Sequence, residues 1–153
     1  MSTPDATSHL QCRETADALQ MAMPAITALI DDADRRIASF LEGHRAEVNV
    51  FEMRILVREA LLNAVIHGSG KDPSRTVAID VTVSDDAITL TVEDEGPGFT
   101  PPVEPVAYDI LGDGGRGLPL LQIYSDELQW NDRGNRVSVR KRLAGDSPAA
   151  LAS

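Results

Sequence analysis

Strict alternation of apolar and polar residues runs through the middle of this chain. Val77, Ile79, Val81 and Val83 alternate with Ala78, Asp80, Thr82 and Ser84. After Asp85-Asp86, Ile88, Leu90 and Val92 alternate with Ala87, Thr89, Thr91 and Glu93. A period of two places the two sets on opposite faces of a strand, so both segments are strands with one apolar face and the acidic pair is the turn between them. Glu127 to Asn131 and Asn135 to Leu143 read as a second hairpin around Asp132-Arg133-Gly134. There Arg136, Ser138, Arg140 and Arg142 share one face, and Val137, Val139 and Leu143 share the other with the stem of Lys141. A sheet wet on one side needs helices on the other. The expected class is therefore α+β, a two-layer sandwich whose mixed, mostly antiparallel sheet is covered on one face by about three helices.

Helical spacing supplies that cover. From about Ala16 to Glu42, the residues Ile26, Leu29, Ile30, Ala33, Ile37, Phe40 and Leu41 recur three and four apart, with Gly43 as a stop. Pro24 either sits in a first turn of this helix or breaks it in two. Ala46 to His67 reads as a second helix, ended by Gly68-Ser69-Gly70, and Gly117 to Tyr124 as a third. His9 to Arg13 reads as a short first strand. Phe99 to Gly114, rich in proline and glycine, reads as a long ordered loop or lid. The polar ends set the expected divisions: a disordered N-terminus over 1–9, one domain over 10–143 and a disordered tail over 144–153.

Composition narrows the function classes. A length of 153 residues suits one domain with a real core. No apolar run approaches the roughly 20 residues of a membrane span. The start Met1-Ser-Thr-Pro-Asp lacks the basic and apolar regions of a signal peptide, so a cytoplasmic protein without membrane contact is expected. The single Cys12 cannot form an internal disulfide. A net charge of −10 repels a phosphate backbone, which argues against direct nucleic-acid binding and is compatible with a basic protein partner.

Three polar clusters carry the candidate chemistry. Glu59 and Asn63 lie four apart on the second helix, on one arc with Ile55, Leu56, Leu62 and Ile66, while Arg54 and Arg58 lie on another. A carboxylate among apolar residues needs a polar companion, which is a ligand, a structural arginine or a neighbouring loop. Asp94 has the parity of Ile88, Leu90 and Val92, so it points to the helix-covered face at a strand end, and Glu93 points to solvent. Gly96 and Gly98 follow in a turn that lets a backbone approach closely. Gly114-Gly115-Arg116-Gly117 opens the third helix before Leu118-Pro119, where free N–H groups and the helix dipole suit phosphate oxygens and Arg116 adds a charge. No Gly-Lys-Ser/Thr follows, so this is not a P-loop. His67 reads as a helix-end capping group, and His9 and His44 have no partners at metal-ligand spacing.

The order and wording of these clusters resemble a known superfamily. Glu59-Ala-Leu-Leu-Asn63-Ala-Val-Ile-His67-Gly68 resembles the N box of the GHKL (Bergerat-fold) ATPases and kinases. Val92-Glu-Asp94-Glu-Gly96-Pro-Gly98-Phe99 resembles the G1 box and Gly115-Arg-Gly117-Leu118-Pro-Leu-Leu the G2 box. The short form and the Asn-Ala-x-x-His-Gly wording are most similar to bacterial anti-sigma factor serine kinases of partner-switching systems. The resemblance implies a Bergerat ATP site. In it Asn63 coordinates Mg²⁺ on the phosphates, and Glu59 acts as general base or orients the attacking hydroxyl. Asp94 accepts from the adenine amino group, Gly96 and Gly98 line the base, and Gly115, Arg116, Gly117 and Leu118 bind the phosphates. It also implies two protein partners, an anti-sigma antagonist of the STAS type carrying the acceptor serine and a sigma factor, and it allows a homodimer to which Leu61 and Val65 add apolar surface unless they are core. The alternative is a nucleotide-binding module that sequesters a sigma factor or regulator without catalysis. One departure stands out: Gly134-Asn135-Arg136 replaces the Gly-Thr pair that many members carry.

Overall fold

A computed structural model of the chain describes residues 10–44, 49–98 and 117–143. The expected terminal tails, the lid from Phe99 to Gly114, and Gly115 and Arg116 lie outside the described residues. Among these residues six strands form one sheet: β1 (Gln11–Glu14), β2 (Ala18–Pro24), β3 (Thr76–Val83), β4 (Ala87–Glu93), β5 (Glu127–Trp130) and β6 (Arg136–Arg142), in the order β1-β2-β3-β4-β6-β5. Every described pairing is antiparallel. Among the described residues three helices, α1 (Ile30–Glu42), α2 (Val50–Leu62) and α3 (Gly117–Tyr124), complete the α+β architecture.

Register explains why one face is apolar. Leu19 pairs with Val81, Val81 with Leu90, Leu90 with Val139 and Val139 with Leu128. The next row runs Met21, Ile79, Val92, Val137 and Trp130. Leu19, Val81, Leu90 and Val139 are wholly excluded from solvent. Each such side chain contributes about 1.5–3 kcal/mol. A slip of one residue in any strand would turn its row to water, so the pattern fixes the register.

The single helix expected from Ala16 to Glu42 is corrected by the structure. Its first part is strand β2, followed by a 3-10 turn at Thr27–Leu29, and the helix starts only at Ile30. Ala, Leu, Gln and Met are strong helix formers, so local preference reads as helix. Pairing with β1 and β3 overrides it, with Leu19, Met21 and Met23 buried and Gln20 exposed. Pro24 ends this strand opposite Thr76, a position that proline tolerates. The first strand is displaced to Gln11–Glu14, with Cys12 exposed on it and His9 outside the described residues.

Helix α2 carries Glu59 of the first cluster and is fixed at its start and along its side. Asn49 caps it by accepting from the Glu52 N–H at 3.1 Å, worth about 1 kcal/mol. Against α1 it is held by a buried carboxylate that the sequence pattern did not single out. Asp34 is 2% exposed and accepts from Arg54 Nη2 at 2.8 Å. One turn on, Arg58 donates to Asp31 at 2.7 Å. The two arginines of the charged arc therefore grip α1. Removing the Asp34 carboxylate leaves half-exposed arginines that water can solvate, so Asp34→Ala should lower stability by about 1–3 kcal/mol in urea unfolding. A loss below about 0.5 kcal/mol would show that apolar packing alone docks α1 on α2.

Candidate functional site

The fully buried stripe of α2 and its extension is Met53, Leu56, Val57, Ala60, Leu61, Ala64 and Val65. Glu59, Leu62, Asn63 and Ile66 are half-buried beside it. The predicted arc is thus the flank of the core face, because α2 packs at once on the sheet, α1 and α3. Leu61 and Val65 belong to the core. At Asn63 the helix widens into a π turn, Asn63–Gly68. The Ser69 N–H reaches back to Ala64 O and the Lys71 N–H to Val65 O, each at 2.8 Å. Such widened turns recur at functional sites, since the extra residue re-aims the helix end.

Here that end is aimed at the tip of β4. A side chain built on Gly68 would place its first carbon 2.2 Å from Asp94 Oδ2, and one on Gly96 would stand 1.8 Å from the Gly68 carbonyl oxygen. The helix terminus and the Asp94–Gly98 loop therefore touch through bare Cα atoms. Asp94 is 6% exposed. Its Oδ1 accepts from the Gly96 N–H at 2.7 Å, and among the described residues no hydrogen bond reaches its Oδ2. Burial pushes the Asp94 carboxyl above its ordinary range and Glu93 adds to this, while the Gly96 hydrogen bond, Arg75 and Arg133 pull it back. Ser69, next to Gly68, is 1% exposed, and its Oγ has no hydrogen-bond partner among the described residues.

Two neighbours hold the loop. Glu95 accepts from the Thr76 N–H at 2.8 Å, tying it to the start of β3. From the other side, Arg133 donates to the Gly96 carbonyl at 3.3 Å. Gly98 has φ +86°, and the space its side chain would need is filled by the Arg133 carbonyl oxygen, so packing as well as backbone conformation requires glycine there. Asn131 and Asn135 complete this support. The sequence showed them only as polar residues around a hairpin turn, and their signal was the Asn-x-x-Gly-Asn spacing.

The structure thus brings Gly68, Asp94 and Gly96 into contact, with Glu59 and Asn63 on the helix that leads to them. Gly117 and Leu118 open α3, which packs against α2. Their side chains, like Gly115 and Arg116, are outside the described residues. His67 is exposed on the last turn of the π segment. His44 is structural, its ring nitrogens lying 3.1 Å from Phe40 O and 3.0 Å from Ala16 O. Among the described residues no group of three His, Cys, Asp or Glu side chains is placed to hold a metal ion, and no helix is long and apolar enough to cross a membrane. A surface groove of about 440 Å³ bordered by Met23, Pro24, Pro73 and Thr76 contains no titratable side chain.

Comparison with known proteins decides the family. The model of the histidine kinase-like ATPase domain matches residues 11–141. The chain belongs to this family. Among its relatives, an anti-sigma F factor of Geobacillus kaustophilus is 32% identical over 102 residues, covering 61% of this chain and 69% of the relative. An anti-sigma F factor of Geobacillus thermodenitrificans is 27% identical over 144 residues, covering 89% and 92%. The serine-protein kinase RsbW of Bacillus subtilis is 29% identical over 147 residues, covering 88% and 91%. The six-stranded sheet with helices on one face is the architecture expected of a histidine kinase-like ATPase domain.

Two measurements probe the geometry. Gly68→Ala should force the Asp94 carboxylate or the helix end aside and lower stability by about 1–3 kcal/mol. Gly43→Ala, whose added carbon would meet only the Phe40 carbonyl at 3.4 Å, should change it by less than about 0.5 kcal/mol. Equal effects would show that the helix end is loosely placed. Asp94 gives a pH signature. Its carboxyl binds a proton more tightly folded than unfolded, so it lowers stability progressively as pH rises from the ordinary 3.8 through the raised value. Asp94→Asn lacks that titration. The stability of the variant relative to wild type should therefore grow with pH across this window and then level off; a flat difference would contradict the burial.

Proposed function

We propose that the chain is an ATP-dependent anti-sigma factor serine kinase, which phosphorylates a serine of a STAS-type anti-sigma antagonist and sequesters a sigma factor. The relatives' names support the class. The observation that carries the reading is the Asp94 carboxylate, buried at the tip of β4, with no hydrogen bond to its Oδ2 among the described residues, and packed against glycines at 68 and 96 where a side chain would collide. The Ser69 hydroxyl near the same junction, without a hydrogen-bond partner among the described residues, also fits a site built for a polar guest.

In this reading Asp94 accepts a hydrogen bond from the adenine amino group, with Gly96 and Gly98 shaping the loop along the base. Asn63 would hold Mg²⁺, whose contribution when bound would be to neutralise phosphate charge. Glu59, one helical turn before Asn63, draws the proton from the acceptor serine or orients its hydroxyl. Gly115, Gly117 and Leu118 offer backbone N–H groups to the phosphates and Arg116 a positive charge. Phosphoryl transfer asks a protein mainly for positioning and charge stabilisation, which such a set provides.

Calorimetry with Mg-ATP should give one site per chain, weakened at least about tenfold by Asp94→Asn. With STAS-domain proteins of the same genome as acceptors, phosphoserine should form, and Glu59→Gln should slow its formation about a hundredfold or more without abolishing ATP binding. Failure of the wild type to bind ATP would overturn the reading. Binding without transfer to any acceptor would leave the non-catalytic sequestering module.

A further inference from the structure

The Asp94 main chain is gripped on both sides by one residue. The Asp94 N–H donates to the Asn135 carbonyl at 2.9 Å, and the Asn135 side-chain Nδ2 donates back to the Asp94 carbonyl at 2.9 Å. Asn135 is 6% exposed. Its Oδ1 accepts from Asn131 Nδ2 at 2.7 Å. Asn131 Oδ1 in turn accepts from the N–H groups of Gly134, Asn135 and Arg136, at 2.9, 3.0 and 3.1 Å. The network fixes the amide's orientation, because a flipped Asn135 would set its oxygen against the Asp94 carbonyl. The β5–β6 turn is thus one knot of hydrogen bonds whose output is the placement of the Asp94 peptide.

We propose that Asn135 is the positioning residue that sets the base specificity of the site, by holding Asp94 so that its carboxylate can accept from an amino group and cannot turn from a carbonyl. The proposal rests on the nucleotide reading above and deepens it. Three restraints leave the carboxylate one orientation: the Gly96 N–H on Oδ1, Gly68 beside Oδ2, where a side chain's first carbon would fall 2.2 Å away, and the peptide held by Asn135. A purine with a six-amino group donates to that oxygen. A purine with a six-carbonyl sets lone pair against lone pair, and a fixed acceptor cannot relieve the clash. Selectivity against a mismatched hydrogen-bonding group depends on such rigidity. The side-chain arm is separable from the fold, since any residue at 135 keeps the carbonyl that accepts from Asp94.

The test compares Mg-ATP with Mg-ITP, which differ at the six position, by titration calorimetry of the full chain. Wild type should prefer ATP by about tenfold or more, and Asn135→Ala should bring the two within about threefold by weakening ATP while leaving ITP almost unchanged. In an Asp94→Asn background, Asn135→Ala should no longer alter the ratio. Equal weakening of both nucleotides would mark a merely structural residue and overturn the proposal, as would an unchanged ratio. Equal binding of both nucleotides by wild type would overturn it while leaving the nucleotide site intact, whereas binding of neither would fell the nucleotide reading itself. If Asn135→Ala does not fold, the similarly sized Asn135→Leu removes the donor without adding a charge and carries the same expectations.

Discussion

A charged group buried at the tip of β4 sets the terms for everything around it. Asp94 follows the apolar face of its strand past the last ladder pair, Glu93 with Arg136, and so enters the space beneath the helices. A carboxylate there loses water, and protein groups restore only part of it, through the Gly96 N–H and the field of Arg75 and Arg133. Such a group persists when something else gains from it. The glycines at 68 and 96 make the same point sterically. They bring the helix end and the loop so near that any side chain would collide, an arrangement that packing alone would not require.

The fold is arranged to hold that junction. The sheet register places Asp94 opposite the start of β6, so Asn135 reaches its main chain directly. Asn49 fixes the start of α2 and Asp34 its side, and the π turn at Asn63–Gly68 redirects its end. Apolar burial fixes where the elements lie, to within the looseness that core packing tolerates. Hydrogen bonds to named atoms then fix where Asp94 points, which is the finer requirement.

What could be read in advance followed from periodicity. Strands β3, β4 and β6 declare themselves by alternation because each has one wet face, and the parity argument that turns Asp94 inward needed nothing beyond it. Strand β2 stayed hidden because Leu19, Met21 and Met23 alternate within a run of good helix formers, and only the partners on either side decide between the two states. The helical wheel placed Glu59 and Asn63 on one arc but took its flank for its centre. The three-sided packing of α2 and the π turn both lie beyond a uniform rotation of 100° per residue. Local spacing marks Asn135 as part of a turn, but the pairing of Asp34 and the bond of Asn135 to Asp94 were illegible for a common reason. Their partners, Arg54 and the Asp94 peptide, are distant along the chain, and no local spacing encodes such a bond.

The same residues that make the junction exact make it costly to the free protein. An ionised Asp94 with no donor on Oδ2, and a Ser69 hydroxyl with no partner, among the described residues, both weaken the fold. Both losses would be recovered by a guest that brings a hydrogen-bond donor to the carboxylate, and such a guest would bind the folded chain and not the unfolded one. Stability and occupancy are then coupled through a single side chain. A mutation that relieves Asp94 of its charge improves the empty protein and harms the filled one, so the two effects have opposite signs. Purely structural acids such as Asp34, already paired with Arg54, have no such inversion. In the proposed reading, the contrast between these two buried carboxylates, one paired with an arginine and one held mainly by the Gly96 N–H, is what would separate scaffold from site.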